Sequence, residues 1–390
     1  MRILFCSNVP LRRTLGAPKV VIELADAMAA AGHDCRVIGP GEIGAGTGDV
    51  VPGADPYRQR LRAYLREHAI GYDAVDYGHE YLPFPRADFP AGTLMVARSV
   101  LLVHHLARVR LPHPPGVARA ALRLVSRGAR RGRVAADVDV AQRTIRAADL
   151  VNVSNDRDAA VLAESGVPAS RVVVLPFGLS DERAAALAAV CPGPADGPPV
   201  VAFVGTFDYR KGAREFPDIV RRVARAAPAA RFRLLGAAGL FATADAVRRA
   251  LGPAAAAHVD LTMRYDPADL PALLNGCTVG VFPSHVEGFG FGVLEMLAAG
   301  LPVVAYDAPG PHMMLPPDLL VPPGRSDRMA QRVLQLSADP AGLRRRSAWA
   351  RRRAGDFRWA TIAAQTAAAY ESAMAARGGE SRPTAHGPAR

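Results

Sequence analysis

Twice along this chain, short apolar runs alternate with amphipathic stretches, and a proline-rich break separates the two series. That repeat restricts the fold more than any other feature. Short buried strands joined by helices can pair only as parallel strands with helical crossovers, so each series specifies an open α/β domain. In the first series, strands are expected at Arg2–Ser7, Cys35–Ile38, Ala74–Tyr77, Thr93–Ala97, Leu150–Ser154 and Val172–Leu175. Helices are expected at Val20–Ala31, which Gly32 ends, and from about Asp156 to Ser165. An arginine-rich stretch near 108–147 reads as a mainly helical insertion.

Residues 181–199, with Pro192, Pro194, Pro198 and Pro199, read as the interdomain linker. The second series places strands at Val200–Val204, Phe232–Leu235, Val259–Met263, Val279–Pro283 and Val303–Tyr306. Its helices are expected at Ala213–Ala226, Ala244–Leu251, Asp269–Asn275, Asp327–Leu336 and near 341–354. Trp359, Ile362, Ala363, Thr366, Tyr370 and Met374 recur at helical spacing, which predicts one more helix over Phe357–Ala376. The resulting domains are 1–180 and 200–356, with a helix over 357–376 and a disordered tail over 377–390.

A net charge of +12 comes almost wholly from arginine, since Lys19 and Lys211 are the only lysines. Arg108 to Arg133 carries eight arginines and no acid, interleaved with Leu111, Val117, Leu122, Leu124 and Val125. Such a segment suits either a solvated helical face or peripheral contact with an anionic membrane. Nucleic acid is not expected as a partner, because basicity comes without a zinc-finger, RRM-like or helix-turn-helix signature. Met1-Arg-Ile-Leu-Phe-Cys reads as a strand rather than a signal peptide, and no apolar run reaches membrane-span length. Cys6, Cys35, Cys191 and Cys277 lack metal-type spacing and suit reduced thiols in the cytoplasm.

Chemistry concentrates in the second series. In the stretch Phe282-Pro-Ser-His-Val-Glu287-Gly-Phe-Gly-Phe-Gly-Val-Leu-Glu295, a glycine-rich loop between strand and helix separates two carboxylates. A strand-loop-helix unit turns free backbone N–H groups and a positive helix end toward the loop mouth, where a phosphate can sit. Upstream, Gly205-Thr-Phe-Asp-Tyr-Arg210-Lys211-Gly212 follows the first strand of the series. Arg210 offers a planar fork and Lys211 a mobile point charge, both suited to a diphosphate. In the first domain, Leu15-Gly16-Ala17-Pro18-Lys19 lies between a strand and a helix, where a small residue lets backbone approach a ligand.

With Pro283-Ser284 before it and Ala299-Gly300-Leu301-Pro302-Val303-Val304 after it, the two-glutamate segment resembles that of the GT-B-fold, retaining glycosyltransferases of family 4. The resemblance implies two Rossmann-like parallel-sheet domains facing across a cleft, with the terminal helix crossing back to the first domain. It implies transfer of a hexose-type sugar from a nucleotide-sugar donor to a hydroxyl of a lipid-linked, cell-surface or soluble acceptor. By the same resemblance, Lys211 and Arg210 hold the diphosphate and Glu295 the ribose. Gly288, Phe289 and Gly290 add backbone amides, Glu287 meets the sugar near its reacting centre, and Gly16 and Gly310 belong to glycine loops near the donor. Thr206 stands where the family often has arginine, and Ala17 replaces a glycine of the first-domain loop. Loops near Met263–Tyr265 and Gly310–Met313 are expected to set base and sugar choice.

His79, His104, His105 and His312 follow strand ends that would face the cleft and are candidates for the acceptor or sugar side. Two look-alikes are set aside. Gly39-Pro-Gly-Glu-Ile-Gly44 fits a dinucleotide fingerprint, but no helix follows to receive a pyrophosphate. Asp137-Val-Asp139 imitates a metal motif within helical surroundings, and no metal or other cofactor is expected, since cationic side chains and helix dipoles can neutralise phosphates. Two other functions fit the same residues: a GT-B-like nucleotide-sugar epimerase, and a catalytically silent membrane-associated binding protein.

Overall fold

The structure, a computed structural model, describes residues 1–12, 16–44, 55–109 and 120–380. The first series forms six parallel strands: β1 (Arg2–Cys6), β2 (Asp34–Ile38), β3 (Ala74–Gly78), β4 (Leu94–Arg98), β5 (Leu150–Val153) and β6 (Val172–Val174). Their order in the sheet is β2-β1-β3-β4-β5-β6. The second series forms β7 (Val200–Val204), β8 (Arg231–Leu235), β9 (Val259–Thr262), β10 (Val279–Phe282), β11 (Val303–Tyr306) and β12 (Leu320–Val321). These lie in the order β12-β11-β10-β7-β8-β9, also all parallel. This is the doubly wound arrangement of a Rossmann sheet, and its strand order reverses between β7 and β10, where Val279 pairs with Val201. Loops leaving two strands at such a reversal run apart and leave a crevice at their carboxyl ends.

The helices are α1 (Gly16–Ala30), α2 (Asp55–His68), α3 (Val103–Arg108), α4 (Ala120–Ala147), α5 (Asp156–Glu164), α6 (Asp181–Ala188), α7 (Phe216–Ala226) and α8 (Ala244–Leu251). After them come α9 (Pro253–Ala256), α10 (Leu270–Leu274), α11 (Phe291–Ala298), α12 (Pro309–Met314), α13 (Ser326–Ser337), α14 (Pro340–Gly355) and α15 (Trp359–Glu380). Helix α7 illustrates how the sequence specifies them. Phe216, Ile219, Val220 and Val223 repeat at helical spacing, are fully buried, and face the second sheet and α13. Each such side chain contributes roughly 1.5–3 kcal/mol on burial. No helix among the described residues is long and apolar enough to cross a membrane.

Several expectations change. Helix α1 starts at Gly16 rather than Val20, because Pro18 is tolerated in a first turn whose N–H groups have no helical partner. The first part of the expected linker is α6, capped by the Ser180 hydroxyl, which accepts from the Arg183 N–H at 3.2 Å. It packs against α10 and α11 of the second domain. Helix α15 runs through Glu380, so residues 377–380 are helical rather than disordered; 381–390 lie outside the described residues. The arginine-rich segment is helical from Ala120, while its residues 110–119 lie outside the described residues. Asp139 on α4 pairs with Arg143 one turn on, at 2.9 Å.

Helix α15 crosses back to the first domain and packs on α1. Its Tyr370 hydroxyl donates to Asp76, which also receives Arg98 at 2.6 Å, and all three side chains are buried. Higher up the helix, the Trp359 indole donates to Glu23 of α1 at 2.7 Å. A buried ion pair is costly unless further hydrogen bonds use its remaining capacity, and the phenol adds one to each partner here. The crossing point is a single parallel bridge between Leu179 and Arg358.

Candidate active site

The crevice at the β7/β10 reversal is a cavity of about 660 Å³ between the two domains. Lys211 is fixed there by a local motif. Asp208 accepts from the Lys211 N–H at 3.0 Å, and the short turn Tyr209–Lys211 ends on Gly212 at φ 83°. A side chain at Gly212 would strike Pro283 at the end of β10, with its Cβ 2.7 Å from the proline Cβ. The glycine therefore lets the Arg210–Lys211 turn press against the strand that leads to Glu287. Lys211 Nζ lies 3.4 Å and Arg210 Nη1 3.9 Å from Glu287 Oε2. Arg210 also donates to the Val286 carbonyl at 3.2 Å. All three line the cavity.

Glu295 lines the deeper end of the same cavity on α11. Its Oε1 receives Arg183 Nη2 at 2.9 Å, with both side chains nearly buried. Arg183, from α6, also donates to the Pro267 carbonyl. The sequence offered no sign of this partner, because a lone arginine in a segment read as linker carries no motif. Phe289 and Gly290 line the cavity, as do Met263, Arg264 and Tyr265. Burial, then the charge of Glu295, raises the Tyr265 phenol, which stays a protonated donor.

Other expected residues lie elsewhere. Gly288 packs against the first domain and is not among the cavity-lining residues. Its carbonyl accepts from Asn155 Nδ2 at 2.7 Å and Ser154 Oγ at 3.0 Å, and an added Cβ would overlap Val100 and lie 2.9 Å from Leu101 Cα. Gly310 is buried in α12 rather than in a loop, and its N–H donates to the Glu287 carbonyl at 3.1 Å. A Cβ there would overlap Phe289, so Gly310 supports the loop from behind. Gly16 opens α1.

The histidines form two groups, neither lining the cavity. His79, His104 and His105 sit where β3 and α3 meet α5. The backbone N–H of Val103 donates to His79 Nε2 at 3.4 Å, and His105 Nε2 lies 2.7 Å from the buried Asp158. Burial lowers both His79 and His104 to about 4, so both rings are neutral at pH 7. His312 is half exposed and bonds Asp307 at 2.8 Å, and Arg157 of the first domain reaches the same two side chains. His312 therefore ties the second domain to Arg157 of the first, while His79 and His105 find their partners within the first domain.

Among the described residues lining the cavity, the cations Lys19, Arg183, Arg210, Lys211 and Arg264 outnumber the carboxylates Glu287 and Glu295. It can take a polyanion at the loop mouth and hydroxyl donors at the carboxylates.

Comparison with known proteins gives the same picture. Residues 198–339 match the family model of glycosyl transferases group 1. The chain is similar to a 2-deoxystreptamine glucosyltransferase of Streptomyces kanamyceticus, 31% identical over 214 residues that cover 50% of this chain and 53% of that protein. It is also similar to a glycogen synthase of Mycobacterium tuberculosis, 31% identical over 198 residues, 49% of this chain and 46% of that one. The matched stretch thus spans about half the length of these relatives. Among solved structures, sucrose-phosphate synthase from Thermosynechococcus elongatus superposes with a TM-score of 0.73 at 22% identity, covering 96% of this chain and 99% of that one. Anabaena HepE in complex with UDP-glucose gives 0.67 at 19% identity, covering 95% and 100%. Two doubly wound sheets facing across a basic cleft, with the matched residues forming its second wall, show that this chain has the GT-B fold and that its second domain is similar to the glycosyl transferases group 1.

Proposed function

We propose that this protein is a retaining glycosyltransferase of the family 4 type, moving a hexose from a nucleoside-diphosphate sugar to an acceptor hydroxyl. The observation that carries the reading is the cation pair Lys211–Arg210 beside Glu287 in a cleft whose other carboxylate, Glu295, lies deeper. Glu295 accepts from the ribose hydroxyls, and Lys211 and Arg210 hold the diphosphate. Charge grows on that diphosphate as the glycosidic bond breaks, so the two cations bind the transition state more tightly than the donor, which lowers the barrier. Amides around Phe289 and Gly290 and the end of α11 add to this effect.

Glu287 faces the sugar and stabilises its oxocarbenium-like charge. With Glu295 engaged by Arg183, no further lining carboxylate among the described residues is free for a double displacement, which favours attack from the face the diphosphate leaves. Five cationic side chains supply positive charge, so we propose activity without a metal ion, which chelation by EDTA tests. Four unpaired cysteines suit a reducing compartment, in keeping with a cytoplasmic site of action. HepE's complex with UDP-glucose and the glucosyltransferase relative make UDP-glucose the first donor to try.

The test incubates the purified chain with UDP-, GDP- and dTDP-sugars and a panel of aminocyclitol, polyol and lipid-linked acceptors. Proton NMR then reads the anomer formed. A new glycoside with the donor's configuration supports the reading. Isomerised donor without acceptor identifies an epimerase, and an inverted product removes the retaining assignment.

A further inference from the structure

The two lysines of this chain lie far apart in sequence, on different domains, yet both line the same cavity. Lys211 is accounted for above. Lys19 stands on the first turn of α1, with its side chain only 16% exposed. Its Nζ lies 3.9 Å from Glu23 and 5.5 Å from the ring centre of Phe291, the first residue of α11. Glu23 in turn accepts from the Trp359 indole, so the carboxylate that steers the ammonium is itself anchored to the crossing helix.

A helix N-terminus carries positive partial charge, and Lys211 and Arg210 already face the same space. Adding a third cation from the opposite wall raises the repulsion unless an anion comes between them. Glu23 offsets part of that charge at the rear of Lys19, and the Phe291 ring offers a weak cation–π contact. Among the described residues, the five lining cations still outnumber Glu287, Glu295 and the rear Glu23, an excess that favours an anionic ligand between the two walls.

We infer that Lys19 is the first domain's own contact to the departing diphosphate, completing from the opposite side the grip begun by Lys211 and Arg210. The inference rests on the donor reading given above. It also assigns a function to domain approach. Only when the first domain sits against the second, as at Gly288, does the Lys19 charge reach the α11 end.

The test compares two affinities by calorimetry. One is for the best-bound nucleoside diphosphate among UDP, GDP, ADP and dTDP, and the other for the matching nucleoside. Removing a charge-assisted contact predicts that Lys19→Gln loses about tenfold or more in diphosphate affinity. The nucleoside is expected to bind as before, and Lys19→Arg to keep most of the diphosphate affinity. Lys211→Gln serves as the control for the donor reading. If the parent binds no nucleoside diphosphate, that reading falls and the Lys19 inference with it. If Lys211→Gln loses affinity while Lys19→Gln does not, only the Lys19 inference is overturned. Equal losses for nucleoside and diphosphate overturn it too, as does an effect confined to the acceptor's KM. Should Lys19→Gln not fold, Lys19→Met keeps the stem over Phe291 and is read in the same way.

Discussion

Replacing Gly288 by alanine should open the molecule without unfolding either half. The added Cβ would lie 2.9 Å from Leu101 Cα and overlap the Val100 carbonyl of the other domain. Carbon atoms in contact rest about 3.5–4.0 Å apart, so the domains must separate by about 1 Å. The hydrogen bonds from Asn155 and Ser154 to the Gly288 carbonyl, 2.7 and 3.0 Å long, would then stretch beyond about 3.5 Å and cease to count. Each is worth about 0.5–1.5 kcal/mol net. Their joint loss favours the open form by about 1–3 kcal/mol, or roughly five- to hundredfold in population. Catalysis needs both walls of the cleft, so kcat/KM should fall by a similar factor. Small-angle scattering should report a larger radius of gyration, with the thermal melting profile almost unchanged. A variant with parental kinetics and parental compactness would refute the idea that this glycine sets the domain approach.

Three further outcomes follow from the buried groups. Burial lowers His79 and His104 from 6.5 to about 4, so between those values the unfolded chain takes up protons that the folded one refuses. Their stabilisation is therefore complete above about pH 6.5 and declines as pH falls toward 4; the urea midpoint should drop over that window and drop less in a His79→Gln, His104→Gln variant. Tyr370→Phe leaves Asp76 and Arg98 each one partner short in a dry site, a cost of about 1–3 kcal/mol measurable by urea titration; an unchanged midpoint would contradict the role given to this phenol. Arg183→Gln breaks the nearly buried pair with Glu295, costing up to about 3–5 kcal/mol, and should raise the donor KM more than it lowers kcat. Equal donor KM in parent and variant would show that Glu295 needs no such positioning.

The sheets were legible because each buried strand is a short apolar run, as in Val279–Phe282 and Val303–Tyr306, whose residues are all buried. Lys211, Arg210, Glu287 and Glu295 could be singled out because they sit in two short local segments that carry the family resemblance, and all four line one cavity. Helix α2 escaped notice because only Tyr57, Leu61 and Leu65 form its buried stripe, within a strongly polar segment. Helix α6 was obscured by the prolines that follow it, and α12 by Pro309, Gly310 and Pro311, although its first turn accepts a proline. What tertiary structure alone decides could not be read. Arg183 meets Glu295 from 112 positions away, and Asn155 meets the Gly288 carbonyl from 133. The same limit explains Gly288 and Gly310, which the family resemblance placed near the ligand and which admit close packing.

The central claim is that the cleft works by holding an anionic leaving group with Lys211 while Glu295 fixes the nucleoside. Turnover of a sugar nucleotide by the double variant Lys211→Ala, Glu295→Ala addresses it most directly. The account predicts that donor binding and glycoside formation both fall to background while the circular dichroism spectrum matches the parent's. Parental donor affinity together with parental turnover in that variant would contradict it.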